Sequence, residues 1–418
     1  MCLFSKRYDI DPAKVGRLEI GTETLIDKSK STKTVLMDLF AQSGNTDIEG
    51  ATIVNACYGG TAALLNAFLW CESDNCGYSE ERPYAIVVAA DIATYARGPA
   101  RPTSGCGAVA VLVGRDAPFR YHGQDKATHA SNVYDFYKPD HTVEYPTVDG
   151  ALSQVCYYSA LEDCYSRFVK KISARKRKAR NKVQPASPRS PSSSPPVSPT
   201  SPVSTPSSQP ASEKLDSDGI LFNAESADFF VFHAPYNKLV TKSYARLFLL
   251  DARMKYEMEK MKEQTSSPSA LPKDSQEEKK EVLDGEESME KKMNGTEPHP
   301  LQEWLEKPIE ETYNDRALDG VLKKLSAKSF QQRLSDANAA SKVVGNTYTA
   351  SVFLGLASLI DRAGRRQELG DGKDIVVFSY GSGALATMYR LQVYVFCRAM
   401  FCFVILAPKG LRSHLCFH

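Results

Sequence analysis

Four short apolar runs constrain this chain more than any other feature. They are Tyr84-Ala85-Ile86-Val87-Val88-Ala89-Ala90, Ala108-Val109-Ala110-Val111-Leu112-Val113, Ala227-Asp228-Phe229-Phe230-Val231-Phe232 and Asp374-Ile375-Val376-Val377-Phe378-Ser379-Tyr380. Each is rich in β-branched or aromatic residues, the composition of central strands covered on both faces by helices. Stretches of helical character intervene, such as Leu152 to Lys171 and Asn237 to Met261. The alternation predicts an α/β fold. At 418 residues the chain has room for one large α/β unit or for two or three average domains.

Two interruptions divide it. From Val183 to about Ser212 the residues are almost wholly Pro, Ser, Thr and Ala, too poor in apolar surface to offset ordering entropy, so a disordered insertion is expected over 183–215. A second insertion, 263–300, is rich in Glu, Lys, Ser and Pro and is expected to be disordered apart from a transient helix at Glu277 to Lys292. A net charge of +2 gives no general basic excess for nucleic acid, and the Lys171 to Lys182 cluster reads as a solvated helix end. Ten cysteines form no disulfide or metal-ligand framework, and Cys71 and Cys76 lack a matching Cys or His pair. A reducing, cytoplasmic setting without a bound metal is the expectation. Met1 to Arg7 lacks the apolar core of a signal peptide. The apolar run Val393 to Ala407 falls short of the about 20 residues that a membrane span requires, so no membrane anchor is expected.

Chemistry concentrates in Asn55-Ala56-Cys57-Tyr58-Gly59-Gly60-Thr61-Ala62-Ala63-Leu64. Ala51 to Val54 reads as a short buried strand, Gly59-Gly60 as a tight bend, and Thr61 onward as a helix whose apolar face ends at Trp70. Cys57 then sits near a helix N-terminus, where the dipole favours thiolate over thiol and where its own N–H can face an oxyanion. An unreactive buried cysteine beside a glycine turn is the alternative.

Eight motifs in order carry a resemblance: Gly21-Thr22-Glu23-Thr24, Asn55 to Gly60, Ala90-Asp91-Ile92-Ala93, Ala100-Arg101-Pro102-Thr103, Tyr134-Asp135-Phe136-Tyr137-Lys138-Pro139, Phe232-His233-Ala234-Pro235-Tyr236, Gly345-Asn346-Thr347-Tyr348-Thr349 and Phe378 to Gly383. From Val15 to Leu391 the chain resembles the eukaryotic hydroxymethylglutaryl-CoA synthases of the mevalonate pathway. The resemblance implies a thiolase-like layered fold of two related α/β halves. The expected division is 1–182 for the half holding the nucleophile and general acid/base, and 216–262 with 301–391 for the other. Residues 392–418 form an aberrant apolar tail, expected to be unpaired. The family has several dozen residues before Val15, so the fold is expected to be incomplete at both ends, through a missed first exon and an intron read as exon.

The implied reaction is a Claisen condensation of acetyl-CoA with acetoacetyl-CoA, without a cofactor. It requires an acyl carrier, a base for a weakly acidic methyl, and donors for developing negative charge. The resemblance makes Cys57 the acyl carrier, Glu23 the general acid/base and His233 the residue that orients acetoacetyl-CoA and polarises its ketone. It makes Thr103, Ser153, Asn346 and Ser382 substrate contacts, Lys238 and Lys242 CoA-facing lysines, and Asp91, Tyr95, Asp135 and Tyr348 cavity-lining residues. Pro99 stands where many relatives have an asparagine that contacts substrate. A homodimer is also implied. Two alternatives remain at this point: a catalytically inactive remnant, and another condensing enzyme such as a ketoacyl synthase. The second usually pairs its cysteine with two histidines or a His/Asn pair, which Glu23 does not match.

Overall fold

The computed structural model describes residues 10–73, 81–115, 117–183, 222–266, 299–394 and 403–406. Nearly all of both expected insertions, together with Cys76, Met1 to Arg7 and most of the tail, lies outside these residues.

The four apolar runs become strands of two five-stranded sheets. The first sheet contains β1 (Val15–Gly21), β2 (Thr52–Ile53), β3 (Tyr84–Ala93) and β4 (Gly105–Val113). β1 lies parallel to β2 and β3, and β4 runs antiparallel to β3. The second contains β5 (Phe119–Tyr121), β6 (Ala127–Ala130), β9 (Phe229–Phe232), β10 (Asp374–Gly381) and β11 (Leu385–Val393). Between β6 and β9 the chain forms a separate hairpin, β7 (Phe136–Tyr137) and β8 (Thr147–Val148).

Helices α1 (Gly59–Glu72) and α5 (Ser351–Arg365) fill the space between the sheets. There Ala63, Leu64 and Ala67 meet Val87 and Ala89 of the first sheet, while Phe353 and Leu359 meet Val231 and Val377 of the second. The opposite face of the second sheet is covered by α2 (Gly150–Val183) and α3 (Asn237–Ser266), through Tyr157, Leu161, Phe168, Tyr244 and Leu247. α4 (Arg316–Arg333) packs against α3 through Leu318 and Leu322. Phe40 and Ile48 cover Leu18, Ile20, Ile86 and Leu112 on the outer face of the first sheet. Because side chains alternate across a strand, β3 and β10 bury apolar residues on both faces, which explains their continuous apolar runs.

Several local expectations are corrected. Ala51 to Val54 is not buried: β2 is an edge strand with Ala51 and Val54 exposed, since its outer side has no neighbour in the sheet among the described residues. Gly59-Gly60 is the first turn of α1 rather than a bend, and its value is closeness. A Cβ on Gly60 would lie 2.8 Å from both Ala89 Cβ and the Phe353 ring. β4 belongs to the first sheet, whereas β5, β6 and α2 all pack with the second, so the change of sheets comes well before 182. Nor is the tail wholly unpaired: β12 (Phe403–Leu406) adds antiparallel to β4, satisfying that strand's outward backbone groups.

Candidate active site

The backbone places Cys57 two residues ahead of α1, at the seam between the two sheets. Ala56, just before it, has φ 40°, a left-handed conformation that costs a non-glycine residue on the order of 1–3 kcal/mol. Surrounding bonds hold this turn. Tyr58 N–H donates to the Asn55 carbonyl at 2.9 Å. The Tyr58 hydroxyl pairs with Thr387 Oγ1 at 2.6 Å, and Thr61 Oγ1 donates to Ser379 Oγ at 2.7 Å, both buried. Thr387 and Ser379 belong to β11 and β10, so the turn carrying Cys57 is pinned directly to the opposite sheet.

A cavity of about 380 Å³ brings Cys57 and His233 together with Tyr95, Thr103, Ser153, Asn346, Tyr348 and Ser382. Pro99 is also in its wall. His233 immediately follows β9, and its N–H donates to the Phe378 carbonyl at 2.8 Å while its own carbonyl accepts from Tyr157 OH at 2.7 Å. Burial lowers the imidazole pKa to about 3, so the ring is neutral near pH 7. Its Nδ1 is buried without a hydrogen-bond partner among the described residues. A neutral ring with unused bonding capacity suits it to meet a carbonyl.

Glu23 lines an adjoining cavity of about 400 Å³, separated from the first by Phe136 and Ser382, which line both. Its side chain is 6% exposed and its Oε1 lies 3.5 Å from Lys138 Nζ. Burial first, then the Asp91 charge, push its pKa up to about 8, against the lowering influence of Lys138. A carboxyl that changes protonation near neutral pH can both take and return a proton.

The thiol departs from the expectation based on the helix dipole. Burial and the charges of Glu23 and Asp91 push Cys57 well above the ordinary thiol range, outweighing the nearby helix end. In the resting site Cys57 is a thiol.

Asp91 and Asp135 support the wall rather than line it, which corrects their expected placement. Asp91 Oδ1 accepts from the backbone N–H groups of Glu23 and Thr24 at 2.8 and 2.9 Å and from Thr22 Oγ1 at 2.7 Å. Its Oδ2 accepts from Thr349 N–H at 3.0 Å. The one carboxylate therefore fastens the end of β1, β3 and the Thr349 turn together. Asp91→Ala leaves several buried donors unpaired and is expected to cost about 3 kcal/mol or more in stability, measured by urea unfolding. A loss below about 1 kcal/mol would contradict that role. Asp135, fully buried, accepts from Tyr380 OH at 3.2 Å and from Gly383 N–H at 2.9 Å, fixing the segment that presents Ser382.

Asn346 Nδ2 donates to Tyr95 OH at 3.1 Å, and its Oδ1 accepts Tyr348 N–H at 2.9 Å. Thr103 Oγ1 donates to the Ala100 carbonyl at 2.7 Å, leaving its lone pairs for a ligand. Tyr95 and Phe136 both stand edge-on to Tyr348, making one aromatic wall. Neither lysine lines either cavity: Lys238 is exposed in the first turn of α3, and Lys242 is ion-paired with Asp319 at 2.6 Å. Sequence reasoning did not single out Phe136, Lys138 or Tyr157. The first two lie inside the Tyr134 to Pro139 motif; Tyr157 sits in an apolar helix face with nothing to distinguish it.

Among the described residues no group of His, Cys, Asp and Glu is arranged to hold a metal ion, and no helix is long and apolar enough to cross a membrane.

Comparison with known proteins gives a consistent result. The family described as "Hydroxymethylglutaryl-coenzyme A synthase N terminal" matches residues 2–118, and its "C terminal" counterpart matches 121–187, 208–296 and 284–399. These matches extend past both ends of the 15–391 span read from the motifs. Hydroxymethylglutaryl-CoA synthase A of Dictyostelium discoideum is 38% identical over 93% of this chain and 62% of its own length. The cytoplasmic hydroxymethylglutaryl-CoA synthase of Homo sapiens is 41% identical over 91% of this chain and 58% of its own. The chain thus spans about 60% of the length of these relatives. Among solved structures, MvaS in complex with 3-hydroxy-3-methylglutaryl coenzyme A is similar with a TM-score of 0.60 at 24% identity, covering 94% of this chain and 69% of that one. An HMG-CoA synthase complexed with CoA is similar with a TM-score of 0.54 at 21% identity, covering 92% and 66%. At these identities the structures establish a shared fold.

Proposed function

This chain belongs to the hydroxymethylglutaryl-coenzyme A synthase family, and from that premise we propose that it condenses acetyl-CoA with acetoacetyl-CoA and water, giving 3-hydroxy-3-methylglutaryl-CoA and CoA through an acetyl group on Cys57. The observation that carries the reading is one cavity faced by both Cys57 and a neutral His233, with a proton-exchanging Glu23 behind its shared wall.

In the first step the Cys57 sulfur attacks the acetyl carbonyl, the bond to the CoA sulfur breaks, and the thiol proton leaves with CoA as its free thiol. Glu23, as carboxylate, then takes a proton from the methyl of the acetyl thioester. The carbanion adds to the ketone of acetoacetyl-CoA, whose oxygen His233 polarises by a hydrogen bond. The proton held by Glu23 returns to the new alkoxide, and water hydrolyses the thioester to free Cys57.

Thr103, Ser153, Asn346 and Ser382 would contact the acyl groups, with Tyr95 and Tyr348 shaping the space around them. Lys238 and Lys242 would meet CoA phosphates, for which a compact ammonium on a flexible stem is suited. Lys242 must exchange its Asp319 partner to do so. The family supports a cytoplasmic homodimer supplying isoprenoid and sterol precursors through the mevalonate pathway, with CoA thioesters as substrates and no cofactor. The test is acetyl-CoA-dependent loss of acetoacetyl-CoA, with the product identified by mass spectrometry. Consumption that continues without acetyl-CoA, or a product other than 3-hydroxy-3-methylglutaryl-CoA, refutes the proposal.

A further inference from the structure

Lys138 lies just beyond β7, in the turn of the β7–β8 hairpin that covers the Glu23 cavity. Its ammonium is held by three groups at once. Nζ is 3.5 Å from Glu23 Oε1 and 3.4 Å from Glu144 Oε2, and it stands 5.5 Å from the centre of the Tyr348 ring. Glu144 comes from the same hairpin, and Phe136, two residues before the lysine, packs edge-on against Tyr348 at 5.7 Å. The hairpin therefore delivers a cation to the carboxylate with its approach fixed by aromatic packing on one side and by a second carboxylate on the other.

The proposed reaction gives Lys138 no step, yet no other cation among the described residues is as well placed. The charged and titratable groups facing Glu23 come from several elements. Asp91 on β3 and Cys57 before α1 lie behind it; Asp27 and Lys28 line the cavity from the chain after β1; Lys138, Asp140, His141 and Glu144 line it from the hairpin. Of the three basic side chains among these, only Lys138 forms an ion pair with Glu23 among the described residues.

We propose that Lys138 is a positioning residue, which aims the Glu23 carboxylate and, held by Glu144 and Tyr348, keeps it available in its charged form for proton abstraction. Its catalytic consequence rests on the reaction proposed above, but its electrostatic role does not. The lysine opposes the burial and the Asp91 charge that otherwise hold the proton on Glu23. A buried like-charge pair, Glu23 and Asp91, is thereby offset by the Lys138 ammonium. At 3.5 Å the ammonium is close enough to bias the carboxyl while leaving it free to accept a proton from substrate.

The test titrates Glu23 directly by the carbon-13 signal of its side-chain carboxyl, assigned with Glu23→Gln, in the full chain. Lys138→Met should raise the titration midpoint by about one pH unit, the lower end of what an opposite charge within 4–6 Å produces, whereas Lys138→Arg should leave it nearly in place. Lys138→Gln keeps a polar chain, should move the midpoint as Met does, and serves if the Met variant does not fold. The low-pH limb of the condensation rate should move upward with the midpoint. Equal midpoints in the wild type and both neutral variants overturn the proposal, as does an Arg variant that titrates like the Met variant. Failure of the wild type to take acetyl from acetyl-CoA would instead refute the reaction, while the Glu23 titration still decides the role of Lys138.

Discussion

Acetyl-CoA labelled in its acetyl group should leave that label on Cys57 and nowhere else, and Cys57→Ala should abolish labelling and turnover together, by more than about 10⁴-fold. The site explains the selectivity. Of the described cysteines only Cys57 lines the cavity that also contains His233. Cys71 and Cys164 are buried elsewhere, with burial raising their pKa values to about 11 and about 12. The Cys57 thiol is itself raised, so its reactivity comes from placement at a strained turn beside the bound thioester rather than from a standing thiolate. Acetyl transfer should accordingly quicken as pH rises through the alkaline range, because more of the thiol is ionised. Peptide mapping decides the assignment: label recovered on Cys71 or Cys106 would remove Cys57 from the mechanism.

The strands were readable because their signal is local. A strand packed on both faces must carry a continuous apolar run, and β3, β4, β9 and β10 all do, although β9 stands at the edge of its sheet among the described residues rather than at its centre. The long helices α2 and α3 were readable for the same reason, each presenting buried residues at helical spacing against one sheet. The change of sheets between β4 and β5 was not legible, since no shift in composition marks it and the Pro/Ser segment offered a more visible division. Gly59-Gly60 shows a similar limit. Glycine there is required by what crosses it, Ala89 and Phe353, and those contacts join residues far apart in the chain.

The site divides along the same line. The position of Cys57 ahead of a helix was legible from its strand-to-helix setting, and Glu23 and His233 were singled out from family motifs alone. Its electrostatics were not legible. The dipole of α1 is a local property and argued for a thiolate, but desolvation and two carboxylates from β3 and the end of β1 prevail. Asp91 illustrates the difference between a motif and a placement: its carboxylate satisfies Thr22, Glu23, Thr24 and Thr349 and lines neither cavity. Lys138 is the converse case, an ordinary residue in its motif until the hairpin fold carries its ammonium to Glu23.

Glu23→Gln should separate the two halves of the reaction. The variant is expected to accept acetyl on Cys57 and to lose carbon–carbon bond formation by about 10²- to 10⁴-fold, the usual contribution of a positioned acid/base. Glutamine keeps the shape of the side chain but neither takes nor returns a proton under these conditions, and Asp91 behind it is engaged by Thr22, Glu23, Thr24 and Thr349. In the parent, condensation should rise with pH toward about 8 as Glu23 ionises, and this limb should vanish in the variant. Stability supplies an independent check. A carboxyl raised from 4.5 to about 8 on folding binds more protons in the native state than in the unfolded state between those values, so it makes the fold less stable as pH climbs through that window. Glu23→Gln should remove this decline, leaving a protein as stable as the parent at pH 5 and more stable at pH 8, while its condensation is lost. Near-parental condensation in the variant, measured alongside normal acetylation of Cys57, would show that the methyl proton is taken by another group.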